Sequence, residues 1–273
     1  MSPTGSQPTI VACLKWVAHP GEPHDERFAG ASPADQAALE LALQQAERLG
    51  GQVVAVTVGP AGAERVLRDA VAAGAHRAVR VDGPVAMLSA DVAAAIATVA
   101  PDATWVWCGD YSLDRGTGSV PAFLAARLGA QQALGVIDVQ FEVPGPAARV
   151  TRRLDGGRRE VLDVRGPAVV SVEGAVAHLR RASLAALRAA GKAPLEVVPL
   201  STPAQRLKAV VQPYRPRAMA LAAPAGAQAL DRLRALTDAS AASAARGETV
   251  TLEPAAAAER IVAALREWGY LAD

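Results

Sequence analysis

The residues best equipped for chemistry lie together in one short run, "GDYSLDRGTGSVPAFLA", from Gly109 to Ala125. It holds three glycines, four hydroxyl side chains, two aspartates and one arginine. The apolar run "ATWVWC" precedes it and a helix-like pattern follows it. Gly109, Gly116 and Gly118 would let the backbone approach a ligand closely. Ser112, Thr117 and Ser119 can donate to phosphate oxygens, Arg115 can supply charge, and Asp114 can accept from a ribose hydroxyl or brace the loop. An ordinary glycine-rich connection would use the same residues, so spacing alone leaves both readings open. The run fits neither G-x-x-x-x-G-K-[ST] nor G-x-G-x-x-G, which disfavours a P-loop and the dinucleotide fingerprint.

The remaining candidates are weaker. His19 and His24 stand in "HPGEPHDERF" with Glu22, Asp25 and Glu26, but no cysteine ligand or helical H-x-x-x-H frame accompanies them. A solvated loop is the expectation there, and no metal site is expected. His76 and His178 stand alone, and Ser89 and Ser183 lack a nucleophile-elbow context. Trp105 and Trp107 alternate along an apolar run and read as packing. No pair of carboxylates is spaced for acid–base work. The chain reads as one that holds a ligand rather than one that turns a substrate over, with no catalytic residues of its own.

Such a loop needs a scaffold, and the sequence describes one. Short apolar runs of strand length alternate with longer alanine- and leucine-rich segments of helical period. "IVACLKWV", "QVVAVTVG", "HRAVRVD" and "ATWVWCG" read as strands. "SPADQAALELALQQAERLGG", "AERVLRDAVAAG", "SADVAAAIATVA" and "PAFLAARLG" read as the helices between and after them. Continuous rather than alternating apolar strands imply a mostly parallel sheet covered on both faces, a three-layer αβα, Rossmann-like fold. In such a sheet, ligands sit at the carboxyl ends of the strands near a topological switch point. The pattern then changes: "GVIDVQFEV", "ARVTRRLDGG" and "RREVLDVRG" are extended runs with a turn at Asp155-Gly156-Gly157, a hairpin extension. "PAVVSVEG" returns to a buried strand and "SLAALRAAGK" to a short helix. Prolines 199, 203, 213 and 216 then mark a linker, followed by the strand candidate "AMALAAP" and the helices "AQALDRLRALTD" and "PAAAAERIVAALREWG". The expected division is a nucleotide-binding α/β domain over 1–198 and a linker with a C-terminal arm over 199–273.

Composition bounds the functions available. The 273 residues are 51% hydrophobic but only 4% aromatic, so alanine, valine and leucine must fill the core. A net charge of +1 without a basic block argues against a nucleic-acid partner. Cys13 and Cys108 each lie in an apolar run and read as buried, reduced thiols. Apolar stretches are broken early by Asp91, Pro101, Asp102 or Glu173, and the N-terminus has no basic and apolar leader. A soluble, cytoplasmic protein without membrane insertion is the expectation.

Taken in order, these segments resemble the β subunit of electron-transfer flavoproteins, essentially from end to end. "IVACLKWV" is similar to the family's first strand, which ends in a lysine. "SPADQAALELAL" resembles its N-P-x-[DE]-x-x-A-[LV]-E-x-A-[LV] helix. "VTVGPAGAERVLRDAVAAGAHRAVRV" is similar to its V-S-x-G-P strand, L-R-x-A-L helix and G-A-D-R segment. "RRLDGG" and "PAVVSVE" resemble its D-G-G hairpin and P-A-V-V strand. "LRRASLAALRAAGKAPLEVV" resembles its R-Y-A-[ST]-L-x-x-[IL] stretch, and "AAAAERIVAALREWGYL" its closing helix. The glycine-rich run aligns without a gap to the family's G-x-Q-x-I-D-x-D-x-x-Q-[VT] loop.

The resemblance implies a non-catalytic subunit that holds AMP, or a second FAD in bifurcating members. An α subunit would hold most of the redox-active FAD, and the heterodimer would carry electrons from donor dehydrogenases to an acceptor. Carried over by position, the nucleotide contacts are Cys13; Ser32, Pro33, Ala34 and Asp35; Val58; and Gly109, Asp110, Tyr111, Ser112, Leu113, Asp114, Arg115, Gly116, Thr117, Gly118, Ser119 and Val120. Docking on partner dehydrogenases would fall to Arg180, Arg181, Ala182, Ser183, Leu184 and Leu187, with Leu184 as the apolar anchor. The chain departs from the family pattern at Ser32 (usually asparagine), Asp110 (commonly lysine), Gly116 (the second aspartate) and Ser119 (commonly glutamine). This loop variant resembles β-like subunits associated with mycofactocin-linked dehydrogenases. The alternative is an adenine-nucleotide binder of the universal-stress type. "GTGSV" echoes that group's phosphate loop, but the full G-x-x-G-x9-G-[ST] spacing is missing and the D-G-G hairpin and arm have no place in it.

Overall fold

A computed structural model describes residues 7–18, 26–141, 147–201, 228–237 and 250–271. Contacts divide the chain into two compact units, Met1–Ala209 and Val210–Asp273. The first contains all the strands of one nine-stranded sheet.

Strand β1 (Thr9–Cys13) leads to helix α1 (Pro33–Leu49), β2 (Gln52–Gly59), α2 (Glu64–Ala73), β3 (Arg77–Asp82), α3 (Ser89–Val99), β4 (Trp105–Gly109) and α4 (Val120–Leu128). Next come β5 (Gln131–Phe141), β6 (Ala148–Arg153), β7 (Arg159–Val164), β8 (Ala168–Val172), α5 (Leu184–Lys192) and β9 (Glu196–Pro199). The sheet order is β7-β6-β5-β8-β4-β1-β2-β3-β9. Every neighbouring pair from β5 to β9 in that order is parallel, and the β5–β6 and β6–β7 pairs are antiparallel. The chain winds outward from β1 through β2 to β3, then crosses back to lay β4 on the other side of β1. The β1–β4 boundary is therefore the topological switch point.

Alternation along the strands explains why both faces are apolar. Ile10, Ala12, Val53 and Ala55 pack with α1 and α2 on one face. Val11, Cys13, Val54 and Val56 pack with α3 and α4 on the other. Trp105 and Trp107 stack with centroids 5.9 Å apart on the α1 face, and the Trp107 Nε1–H donates to Gln45 Oε1 at 2.8 Å. They are core residues, as their alternation implied.

Helix α1 shows how local chemistry sets boundaries here. The Ser32 hydroxyl accepts the Asp35 N–H at 3.0 Å, Pro33 stands at the first helical position, and Gly50 ends the helix with φ 64°. Two expectations need correction. The run read as a strand from Gly135 begins earlier, at Gln131, and its first half pairs in parallel with β8 before the chain turns into the antiparallel extension. "APLEVV", not read as a strand, supplies β9 beside β3, where Arg77 and Glu196 pair at 2.8 Å. The strand candidate "AMALAAP" and the His19–His24 loop lie outside the described residues. In the second unit the described elements are α6 (Ala229–Thr237) and α7 (Pro254–Glu267).

Candidate functional site

At the carboxyl ends of β1 and β4 a cleft opens, with about 830 Å³ of empty space including its mouth. Its floor is Cys13, Cys108 and Asp35; one wall is Val56 and Val58 of β2 with Val92 and Ile96 of α3; the other is the loop from Gly109 to Val120.

Asp35 ties the floor together. Its carboxylate accepts the Lys15 N–H at 3.0 Å and is also bonded by the Gly109 N–H, so one side chain joins the ends of β1 and β4. Only glycine fits at 109, because a Cβ there would run into the Asp35 carboxylate and the start of α1. Burial pushes Asp35 up to about 7, against the opposing pull of the two amides and the Lys15 charge.

The wall loop is pinned through its middle to either side. On one side the Lys15 ammonium donates to both Asp114 oxygens at 2.6 and 2.7 Å and to the Ser112 hydroxyl at 3.3 Å. Partial burial raises the Asp114 carboxyl, but Lys15, the Ser112 hydroxyl and the Arg115 amide outweigh it and hold it at about 2. On the other side the Arg115 guanidinium donates to the Met87 carbonyl at 2.7 Å. Gly118, with φ 57°, passes so close to the Asp110 carbonyl that a Cβ would sit 2.6 Å from it. Partial burial, with the nearby Glu173 charge, raises the Asp110 carboxyl.

The N-termini of α3 and α4 meet at this cleft. Ser89 of α3 and Ser119, just before α4, share a hydrogen bond of 2.9 Å, and Ser119 also reaches the Thr117 hydroxyl at 3.2 Å. No side chain caps α4. Two helix dipoles and three hydroxyls thus face one space, an arrangement that favours an anion by ~0.3–1 kcal/mol per charge in an exposed setting. Among the described residues no cluster of histidine, cysteine or acidic side chains could hold a metal ion.

Of the positions singled out in the sequence, Cys13, Asp35, Val58, Gly109, Asp110, Tyr111, Ser112, Arg115, Thr117, Gly118, Ser119 and Val120 line the cleft. Ser32, Pro33, Ala34, Leu113, Asp114 and Gly116 do not line it. Ser32 acts through its cap on α1, and Asp114 acts through Lys15. Sequence reasoning missed Lys15 and the segment carrying Pro84, Val85, Met87 and Ser89.

The stretch from Arg180 to Leu187 lies elsewhere in this unit. Arg180 turns inward to Glu40 and Glu47 of α1, where its bonds with the Glu40 carboxylate are 3.0 Å long. Partial burial raises the Glu40 carboxyl, but Arg180 and Gln44 outweigh it and lower it overall. Ser183 caps α5 by accepting the Ala186 N–H at 3.1 Å. Arg68 of α2 holds the other end through the carbonyls of Ala190, Gly191 and Ala193. Between these anchors Leu184 is 66% exposed, and Leu187 is also exposed.

Comparison with known proteins gives a consistent set. The family model of the electron transfer flavoprotein domain matches residues 25–203. The chain is 36% identical over 172 residues to protein FixA of Azorhizobium caulinodans, covering 58% of this chain and 60% of that protein. It is 34% identical over 171 residues to the electron transfer flavoprotein subunit beta of Bradyrhizobium diazoefficiens, covering 60% and 66%. The subunit beta of Methylophilus methylotrophus is 33% identical over 156 residues, covering 55% and 58%. The matches thus span about three-fifths of the length of these relatives.

Proposed function

The chain belongs to the electron transfer flavoprotein family, and on that premise we propose that it is the β subunit of a two-chain electron carrier, holding AMP or a second FAD in the β1–β4 cleft. The observation that carries this reading is the cleft itself. It lies at the switch point, glycines bring its backbone close, and two helix N-termini with the hydroxyls of Ser89, Thr117 and Ser119 face one space. In this proposal Gly109–Val120 wraps the phosphate, Arg115 and Lys15 supply positive charge, and Val56, Val58 and Ile96 offer an apolar wall to a base or ring.

The redox-active FAD, held mainly by an α subunit, would supply the electron chemistry, and this chain would position and shield it without catalytic residues of its own. Leu184 and Leu187, presented on an α5 anchored at both ends, would dock donor dehydrogenases. We place the working compartment in the cytoplasm, on the strength of two unbridged cysteines. Among the described residues no helix is long and apolar enough to cross a membrane. The loop variant supports a place among the subunits that serve mycofactocin-linked dehydrogenases, which flavin reduction by such a dehydrogenase would test.

The deciding experiment co-expresses the chain with an α-type subunit, records the visible spectrum and identifies the released nucleotides. A yellow heterodimer releasing FAD with AMP, or FAD alone at two per complex, is the expected result. A colourless homo-oligomer binding ATP would overturn it in favour of a universal-stress-type nucleotide binder.

A further inference from the structure

The two cysteines are directly opposite each other in the β1–β4 ladder, Cys13 with Cys108. Adjacent strands lie about 4.8 Å apart, a separation that disulfides span. Both side chains belong to the cluster on the α3–α4 face, so they project to the same side of the sheet. Both are unbridged, at 8% and 4% exposed, and both line the cleft floor. A core cysteine normally packs as a small hydrophobe away from any reagent. These two instead face a solvent-connected space, which is their route to solvent.

We infer that Cys13 and Cys108 form an oxidisable dithiol, a modification site for small hydroperoxides that enter through the cleft. Cys13, the more exposed of the two, reacts first. Its sulfur attacks a peroxide oxygen, the O–O bond breaks, and the products are a Cys13 sulfenic acid and an alcohol, or water from hydrogen peroxide. The Cys108 sulfur then attacks the Cys13 sulfur. The S–O bond breaks, the S–S bond forms and water leaves. The two thiols together lose two electrons to the peroxide, and their protons end in the alcohol and water. Cys108 is the more buried of the two, which gives it the resolving role, and its contact with Cys13, then burial and the Asp35 charge, push its thiol well up. A relaxed disulfide holds Cβ atoms about 3.8 Å apart, and a dithiol reductant reopens the bond.

A bound nucleotide would cover this floor, a consequence that rests on the reading given under Proposed function. The test uses the reduced full-length chain at mildly alkaline pH, treated with hydrogen peroxide, then alkylated and mapped by mass. Without nucleotide, both thiols should resist alkylation, the Cys13 and Cys108 peptides should be linked within one chain, and dithiothreitol should restore both. The Cys108→Ser variant should instead accumulate a Cys13 sulfenic acid that dimedone traps. Two thiols still alkylated after peroxide, or links only between chains, would overturn the proposal. AMP binding to the reduced chain is measured separately by calorimetry. If AMP binds, it should slow oxidation on the order of tenfold or more, and binding without protection would overturn the route through the cleft. If AMP does not bind, the nucleotide reading fails, while linkage in the ligand-free chain still decides the dithiol.

Discussion

Asp35 concentrates the site's electrostatics in one carboxylate. It sits in the first turn of α1, where the helix N-terminus favours a negative charge, yet burial raises it from an ordinary value of 3.8 to about 7. A raised folded-state value means the folded chain keeps a proton that the unfolded chain has lost. The stability this group contributes is therefore fully present below about 4 and is lost as pH rises through about 7. Asp35→Asn stays neutral throughout and should flatten this dependence. Thermal unfolding at pH 5 and pH 8 should show the variant gaining on the parent by a few kcal/mol at the higher pH, and parallel slopes would count against it. The Lys15–Asp114 pair follows the opposite rule. The depressed Asp114 value makes its contribution present above the ordinary carboxylate range and lost as pH falls toward about 2. Both side chains are about a third exposed, so Asp114→Asn should cost only ~0.2–1 kcal/mol of stability. Its larger effect should be faster nucleotide release, read by stopped flow, because the loop loses one of its two pins. Lys15 was visible in the sequence as the lysine ending the first strand. Its role was not, because a partner 99 residues away cannot be read from local pattern.

The elements were the most legible level, for physical reasons that differ from one to the next. Helix α1 announces itself through Ser32, Pro33 and Gly50, whose caps depend only on neighbouring backbone. Strands β1, β2 and β4 read as unbroken apolar runs because both faces are covered. Strand β9 escaped notice because it is four residues long, lies at a sheet edge and leaves Val197 exposed, so it lacks that signature. Much of the cleft was legible in the loop after β4, but the wall from Pro84 to Ser89 comes from the β3–α3 connection, whose residues carry no chemical signature of their own. Helix α5 carries the prediction at this scale. Leu184 is exposed, so Leu184→Ala should leave thermal stability and nucleotide content unchanged. Burying a leucine at an interface is worth ~1.5–3 kcal/mol, so electron transfer from a donor dehydrogenase should weaken roughly tenfold to 150-fold in apparent affinity. Unaltered transfer kinetics would remove Leu184 from docking. Arg68→Ala supplies the complementary measurement. It frees the carbonyls of Ala190, Gly191 and Ala193 and should raise amide exchange along α5, while leaving the cleft intact.

The whole molecule divides into two units, Met1–Ala209 and Val210–Asp273. The first unit contains every strand of the sheet, both buried clusters and the cleft, so folding and ligand retention should be its properties alone. The second has a different character. On and just beyond α7, Ile261, Trp268, Tyr270 and Leu271 are exposed large apolar side chains, and no residue described in that helix is buried. Exposed apolar side chains concentrated at the end of one helix and just beyond it call for a partner surface, and the net charge of +1 gives no reason to look for nucleic acid. Removing the chain after residue 209 should therefore separate two functions. The truncated protein should unfold cooperatively and retain the AMP affinity of the parent within about twofold, a change worth under 1 kcal/mol. It should no longer co-purify with an α-type subunit. The control matters, because a cut at residue 198 removes part of β9 and would confuse loss of a partner with damage to the sheet edge. A truncated chain that still forms a stable yellow heterodimer would assign the partner contact to the first unit, leaving the exposed face of α7 to some other surface.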